Sequence, residues 1–133
     1  MRKSWRGLII WLILFCLGLV LIAFLSPFEE EALMIRVIFN YSNLMVAGFM
    51  AYIMISGNVW MINGVTFEEA VAAEPERRYY FARAHLTRFA GAGLIYLVLS
   101  VLFTLFHLPW LADMAGYLFL TCAAAFSTIR IHL

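Results

Sequence analysis

Long stretches without an ionisable charge constrain this chain more than any other feature of its sequence. Residues 7–25 and 37–65 contain no Asp, Glu, Lys or Arg, and the 41 residues between Arg88 and Arg130 contain one, Asp113. Hydrophobic residues make up 65% of the chain and charged residues 13%, against about 45–50% and about 25% in an ordinary soluble domain. The apolar residues come in blocks, which is typical of helices in lipid. We therefore predict a single all-α integral membrane domain covering residues 1–133.

Four transmembrane helices are predicted, and we expect them to form two hairpins. They cover residues 7–25, 37–56, 89–106 and 109–129. At about 1.5 Å per residue, the first would measure about 28 Å, close to the hydrocarbon thickness of a bilayer. Ser26, Pro27 and Glu29 predict that the second helix begins at Pro27, with Ser26 as its N-cap. The sequence His107-Leu108-Pro109 predicts the tight turn of the second hairpin.

A polar segment, residues 66–88, separates the two predicted hairpins. Thr66-Phe67-Glu68-Glu69 has the pattern of a capping box and predicts a short helix. Pro75 favours the first position of a second helix, which we expect to continue into the third span. Ahead of this segment, Ser56–Val65 is predicted to lie at the membrane interface, with Trp60 in the aromatic belt.

The basic residues predict the orientation of the chain in the membrane. Eight of the nine Lys and Arg residues share one side if both termini are cytoplasmic: Arg2, Lys3, Arg6, Arg77, Arg78, Arg83, Arg88 and Arg130. Arg36 alone lies on the other side. The positive-inside rule therefore predicts a protein of the plasma (inner) membrane with both termini and residues 66–88 in the cytoplasm. In this orientation both outer turns are acidic, with Glu29–Glu31 in one and Asp113 in the other.

Polar side chains recur at helical spacing within and beside the spans. The candidate stripe consists of Asn40, Asn43, Asn58, Ser100, Thr104 and His107. One interpretation is that these groups hydrogen-bond between helices and hold the bundle together, with His107 capping a helix end. The alternative is a polar pathway that opens outward, in which His107 could move a proton. No span carries an ionisable group near its centre, so we expect no buried charge.

Basic and aromatic residues are mixed in the second half of the polar segment. The candidate docking surface consists of Arg77, Arg78, Tyr79, Tyr80, Arg83, His85 and Arg88. It would bind a partner protein, or anionic lipid at about 1 kcal/mol for each basic residue near the surface. The alternative is a loop that only sets topology, with arginine side chains reaching the headgroups and tyrosines lying among them.

The sequence contains no Cys-x-x-Cys, no His-x-x-x-His and no phosphate-binding loop. We therefore predict no catalytic residue, no cofactor, no metal and no nucleic-acid partner, and hence a chain that is not an enzyme. Cys16 and Cys122 lie inside apolar blocks, where a thiol usually serves as a small packing residue.

Two function classes are compatible with this sequence. The first is a non-catalytic accessory, regulatory or immunity-like subunit that packs against a larger membrane partner. The second is an oligomeric transporter or channel for a small solute or ion, lined by the Asn/Ser/Thr stripe. Four short helices can hardly enclose a pathway alone, so the second class requires several copies. The expected partners are the lipid bilayer and either another membrane protein or a second copy of this chain.

Overall fold

The computed structural model describes residues 3–26, 28–62 and 64–133, and the described residues are helical or irregular. The helices are α1 (Arg6–Leu25), α2 (Glu31–Ser56), α3 (Phe67–Ala72), α4 (Pro75–Leu105) and α5 (Trp110–Thr128), with one turn of 3-10 helix at Val59–Met61. Within these residues, α1, α2, α4 and α5 are long and apolar enough to cross a membrane. The prediction of an all-α protein with four candidate spans is confirmed.

The second helix begins later than the sequence predicts. Glu30 has an extended backbone, with φ −85° and ψ 117°, and α2 starts at Glu31 without a side-chain cap. The Ser26 hydroxyl accepts a hydrogen bond from the Phe28 N–H at 3.3 Å, which closes a local turn. Pro27 itself lies outside the described residues. The predicted start at Pro27 is wrong because the serine stabilises this turn instead of capping a helix.

The predicted helices of the polar segment are confirmed. The Thr66 hydroxyl accepts from the Glu69 N–H at 3.2 Å, and the Glu69 carboxylate accepts from the Thr66 N–H at 2.7 Å. This capping box starts α3. Its hydrogen bonds from Thr66 hold the pKa of the Glu69 carboxyl below its ordinary value. Pro75 then occupies the first turn of α4, which continues without a break to Leu105.

Helix α1 packs mainly on α2, in an antiparallel arrangement. The Trp11 indole N–H donates to the Met45 carbonyl at 2.7 Å, and the Tyr41 hydroxyl donates to the Leu14 carbonyl, also at 2.7 Å. The Tyr41 ring occupies the space beside Gly18, where any Cβ would collide with it. The glycine therefore allows the tyrosine to reach the α1 backbone.

A buried apolar cluster lies where the end of α2, the 3-10 turn, α3 and the first part of α4 meet. It consists of Phe49, Ile53, Val59, Trp60, Ile62, Ala70, Phe81 and Ala82. Gly57, at φ 69°, ends α2 and lets the chain turn back toward the bundle. Trp60 is consequently only 7% exposed and packs edge-on against Trp5, with ring centroids 4.7 Å apart. The Trp60 side chain therefore packs against protein, and its depth at the membrane interface stays a prediction.

The outward faces of the long helices are strongly apolar. None of the residues of α1 is buried, although the helix consists almost entirely of apolar residues. Cys16 and Cys122 are both exposed. Their predicted role as packing residues is wrong, because a helix that is apolar all round gives no indication of which face turns inward.

Candidate functional site: a buried ion pair and an adjoining groove

A buried ion pair joins the first part of α2 to the first turn of α5. Arg36 is 4% exposed and Asp113 is fully buried. The Arg36 Nε donates to both carboxylate oxygens of Asp113, at 3.1 and 3.0 Å. The two residues are 77 positions apart in the chain, so this contact also fixes α5 beside α2.

The other polar atoms around the ion pair are also satisfied. Arg36 Nη1 donates to the Thr104 hydroxyl at 3.2 Å, and Arg36 Nη2 donates to the Leu108 carbonyl at 2.6 Å. The Tyr96 hydroxyl donates to Asp113 Oδ1 at 3.1 Å. A buried ion pair is tolerated only when further hydrogen bonds complete its shell, and these contacts provide them. The guanidinium has an acceptor at each nitrogen, so the group has little capacity left to bind a ligand.

Three members of the predicted polar stripe belong to the same network. The Asn40 amide donates to the Ser100 hydroxyl at 3.0 Å and to the Arg36 carbonyl at 2.9 Å. Ser100 in turn donates to the Leu97 carbonyl at 2.8 Å, and Thr104 donates to the Ser100 carbonyl at 2.8 Å. Of these bonds, only the one from Asn40 to Ser100 crosses from α2 to α4. Together with the bond from Arg36 to Thr104, it joins the two helices at points one turn apart.

The other three members of the stripe, Asn43, Asn58 and His107, are not part of this hydrogen-bond network. Asn58 follows Gly57, beyond the end of α2, and so cannot continue a stripe on that helix. His107 is exposed in the turn between α4 and α5, with a positive φ of 51°. Asn43 lies on the same face of α2 as Asn40, but its side chain makes no hydrogen bond among the described residues. The structure therefore brings Asn40, Asn43, Ser100 and Thr104 together along one groove and leaves Asn58 and His107 apart from them.

The sequence-based expectation of no buried charge is wrong. Arg36 and Asp113 both carry formal charges inside the bundle, and Tyr96 is buried with them. The prediction considered the centres of the spans, whereas Arg36 and Asp113 lie near the first turns of α2 and α5 and are 77 positions apart in the chain. Two signals pointed to the pair. Arg36 is the one basic residue that the predicted topology places on the outer side, and Asp113 is the one charged residue between Arg88 and Arg130.

A groove of about 810 Å³ adjoins this network between α2 and α4. Its walls are mostly apolar and include Leu33, Val37, Leu44, Ala47, Ala90, Leu94, Leu97 and Val101. Its floor is polar, with Asn40, Asn43 and Ser100. Gly93 lets the helices approach closely here, since a Cβ at that position would lie 3.2 Å from the Asn43 Cβ.

A second cavity, of about 920 Å³, lies at the opposite end, beside the predicted docking segment. His85 lines it but is only 5% exposed, and its Nδ1 lies 3.0 Å from the Phe81 carbonyl. Arg77 donates to the Leu133 carbonyl at 2.6 Å. The exposed members of the segment are Arg77, Tyr79, Tyr80, Arg83 and Arg88, whereas Arg78 is half-buried. Including His85 in an exposed surface was wrong, because α4 turns its face with Phe81 into the core.

Comparison with known proteins provides no relative for this chain: family models, curated proteins and solved structures each gave no match. Among residues 3–26, 28–62 and 64–133, no group of three or more His, Cys, Asp and Glu side chains could hold a metal ion. The features of the chain that bear on its function are therefore the ion pair, the groove and the exposed apolar faces.

Proposed function

We propose that this chain is a non-catalytic integral membrane subunit, of an accessory, regulatory or immunity-like kind, that acts by packing against a larger membrane protein. The proposal rests on the contrast between the paired charges inside the bundle and the apolar groove on its surface. Arg36 and Asp113 satisfy each other inside the bundle. An apolar-walled groove nevertheless stays open along α2 and α4.

The proposed topology places both ends of the chain in the cytoplasm, with α1 and α2 as one hairpin and α4 and α5 as the other. The ion pair supports this orientation. Arg36 would be the one basic residue on the outer side, and Asp113 compensates its charge inside the bundle. The remaining eight basic residues would then face the cytoplasm, in agreement with the positive-inside rule.

The alternative is an oligomeric transporter or channel, and one observation favours it. Asn40, Asn43 and Ser100 line the same groove, so a second copy that closed it would enclose polar groups. Asn58 would not contribute, since it lies beyond the end of α2. The two functions differ in a measurable way: a subunit needs a different protein beside it, whereas a channel of this chain alone conducts.

The proposed function is tested by finding what accompanies the chain in its own membrane. A tagged chain at near-native expression, extracted in mild detergent, should elute with one other membrane protein in a fixed ratio. Photoreactive residues at Tyr79 and at Arg83, both exposed, should crosslink in cells to that same protein. A chain that stays alone or pairs only with itself would contradict the proposal. Solute flux in vesicles that is lost in Asn43→Leu would favour the channel.

A further inference from the structure

We propose that the groove between α2 and α4 is the binding site for one transmembrane helix of the partner protein, and that Asn43 hydrogen-bonds a polar side chain of that helix. This inference rests on the proposed function and specifies the contact by which the subunit would recognise its target. Three properties of the groove support it: its length, the unpaired amide on its floor, and the charge at one of its ends.

The groove has the dimensions of a helix. It extends from Leu33 to Ala47 on α2 and from Ala90 to Thr104 on α4. Each range corresponds to about 21 Å at about 1.5 Å per residue, or about four helical turns. The lining residues follow both helices over this length, so one partner helix of about four turns matches the groove.

The amide of Asn43 indicates that the partner helix must carry a polar side chain. Its side chain has no hydrogen-bond partner among the described residues, and its nitrogen is buried. An amide at this depth in a bilayer is unfavourable until it is paired, and both its oxygen and its nitrogen can face the groove by rotation of the amide. A lipid acyl chain offers no such group. Nor does α1 of a second copy offer a strong partner within its span, since beyond the terminal Arg6 its polar side chains are Trp11, already bonded to Met45, and the weak donor Cys16.

The acidic residues beside the groove favour a basic residue at one end of the partner helix. Glu29, Glu30 and Glu31 are all exposed and immediately precede the Leu33 end of the groove. Exposed charges attract over about one Debye length, near 8 Å at physiological salt. The partner helix is therefore expected to carry Lys or Arg at this end. The same glutamates repel an anionic lipid headgroup.

The contact can be tested with a photoreactive leucine analogue at two matched positions in the full chain in its native membrane. Leu97 lines the groove and is 47% exposed, whereas Leu118 on α5 lies outside the groove and is 55% exposed. Position 97 should yield an adduct within a membrane span of another protein, within one turn of a Ser, Thr, Asn or Gln. Position 118 should yield lipid adducts. A lipid or a second copy at position 97, or equal labelling of the partner from both positions, would overturn the inference.

Substitutions in the groove provide a second test of this contact. Asn43→Leu should lower the yield of the position-97 adduct about tenfold, as expected for the loss of one interhelical hydrogen bond. The matched control Asn58→Leu, outside the groove, should leave it unchanged. Ala47→Leu fills the groove and should also lower the yield, while Ala123→Leu, on an exposed part of α5, should not. Purified variants must unfold at the same denaturant concentration as the parent, so that misfolding is separated from lost contact.

The outcomes also separate this inference from the proposed function. Adducts to a partner from Tyr79 together with none from position 97 would refute the groove as the contact and leave the subunit function intact. No adduct to another protein from either position would refute both. An adduct from position 97 that is insensitive to Asn43→Leu would refute the role of the amide.

Discussion

Replacing Arg36 by methionine should destabilise the fold by about 3–5 kcal/mol, the usual cost of breaking a buried ion pair by removing one partner. Asp113 is fully buried. It would lose both hydrogen bonds from the Arg36 Nε and, among the described residues, keep the one from the Tyr96 hydroxyl. The carboxylate charge would then be uncompensated inside the bundle, which is the main source of the expected loss.

The double variant Arg36→Met/Asp113→Leu should be more stable than the sum of the two single variants predicts. It removes both charges, so no charge remains unpaired. The Tyr96 hydroxyl would lose its acceptor, at a cost of about 1–3 kcal/mol for a buried polar group left unsatisfied. We therefore expect a coupling free energy of at least about 2 kcal/mol between Arg36 and Asp113, within the range seen for residues in direct contact.

Reversible unfolding from mixed micelles into sodium dodecyl sulfate, followed by circular dichroism, measures these free energies. Arg83→Met is the matched control, since Arg83 lies on the exposed part of α4 and its loss should change stability by less than about 0.5 kcal/mol. A loss below about 1 kcal/mol for Arg36→Met, or effects of Arg36→Met and Asp113→Leu that simply add, would refute a buried and coupled ion pair.

Three further predictions concern the helix contact and the capping box. Gly18→Ala should cost about 1–3 kcal/mol by overpacking against Tyr41, while Gly48→Ala, where a Cβ meets no neighbour within 4 Å, should be neutral or stabilising in the same unfolding assay. Thr66→Ala should destabilise α3 by about 1 kcal/mol, seen as faster amide hydrogen exchange in its first turn, and unchanged exchange would contradict the cap. Because the pKa of Glu69 is lowered from its ordinary 4.5, the box should stabilise α3 fully above that pH and lose its effect as the pH falls through the lower, folded-state value. The protection factors of the α3 amides, which remove the intrinsic pH dependence of exchange, should fall only in that acid range, and a fall near neutrality would contradict this assignment.

The polar network shows which parts of the site the sequence could predict. Asn40, Ser100 and Thr104 are recognisable because helical spacing places them on the inner faces of α2 and α4, where Asn40 bonds to Ser100 and Thr104 accepts from Arg36. Arg36 and Asp113 were visible only as exceptions in charge distribution. Whether either is buried depends on the packing of α5 against α2, which no local pattern in the sequence encodes.

The fold also has features that local sequence patterns predict and features that only the packing of the helices decides. Helix type, the four candidate spans and the helices at Thr66 and Pro75 follow from the sequence, because blocks of apolar residues and capping patterns act over a few neighbouring residues. The inward turn of His85, the burial of Trp60 and the exposure of the cysteines came only from the tertiary structure. In a chain that is apolar on nearly every face, hydrophobicity does not choose which side of a helix turns inward. Close approach at Gly18 and Gly93, and the bond between Arg36 and Asp113, make that choice instead.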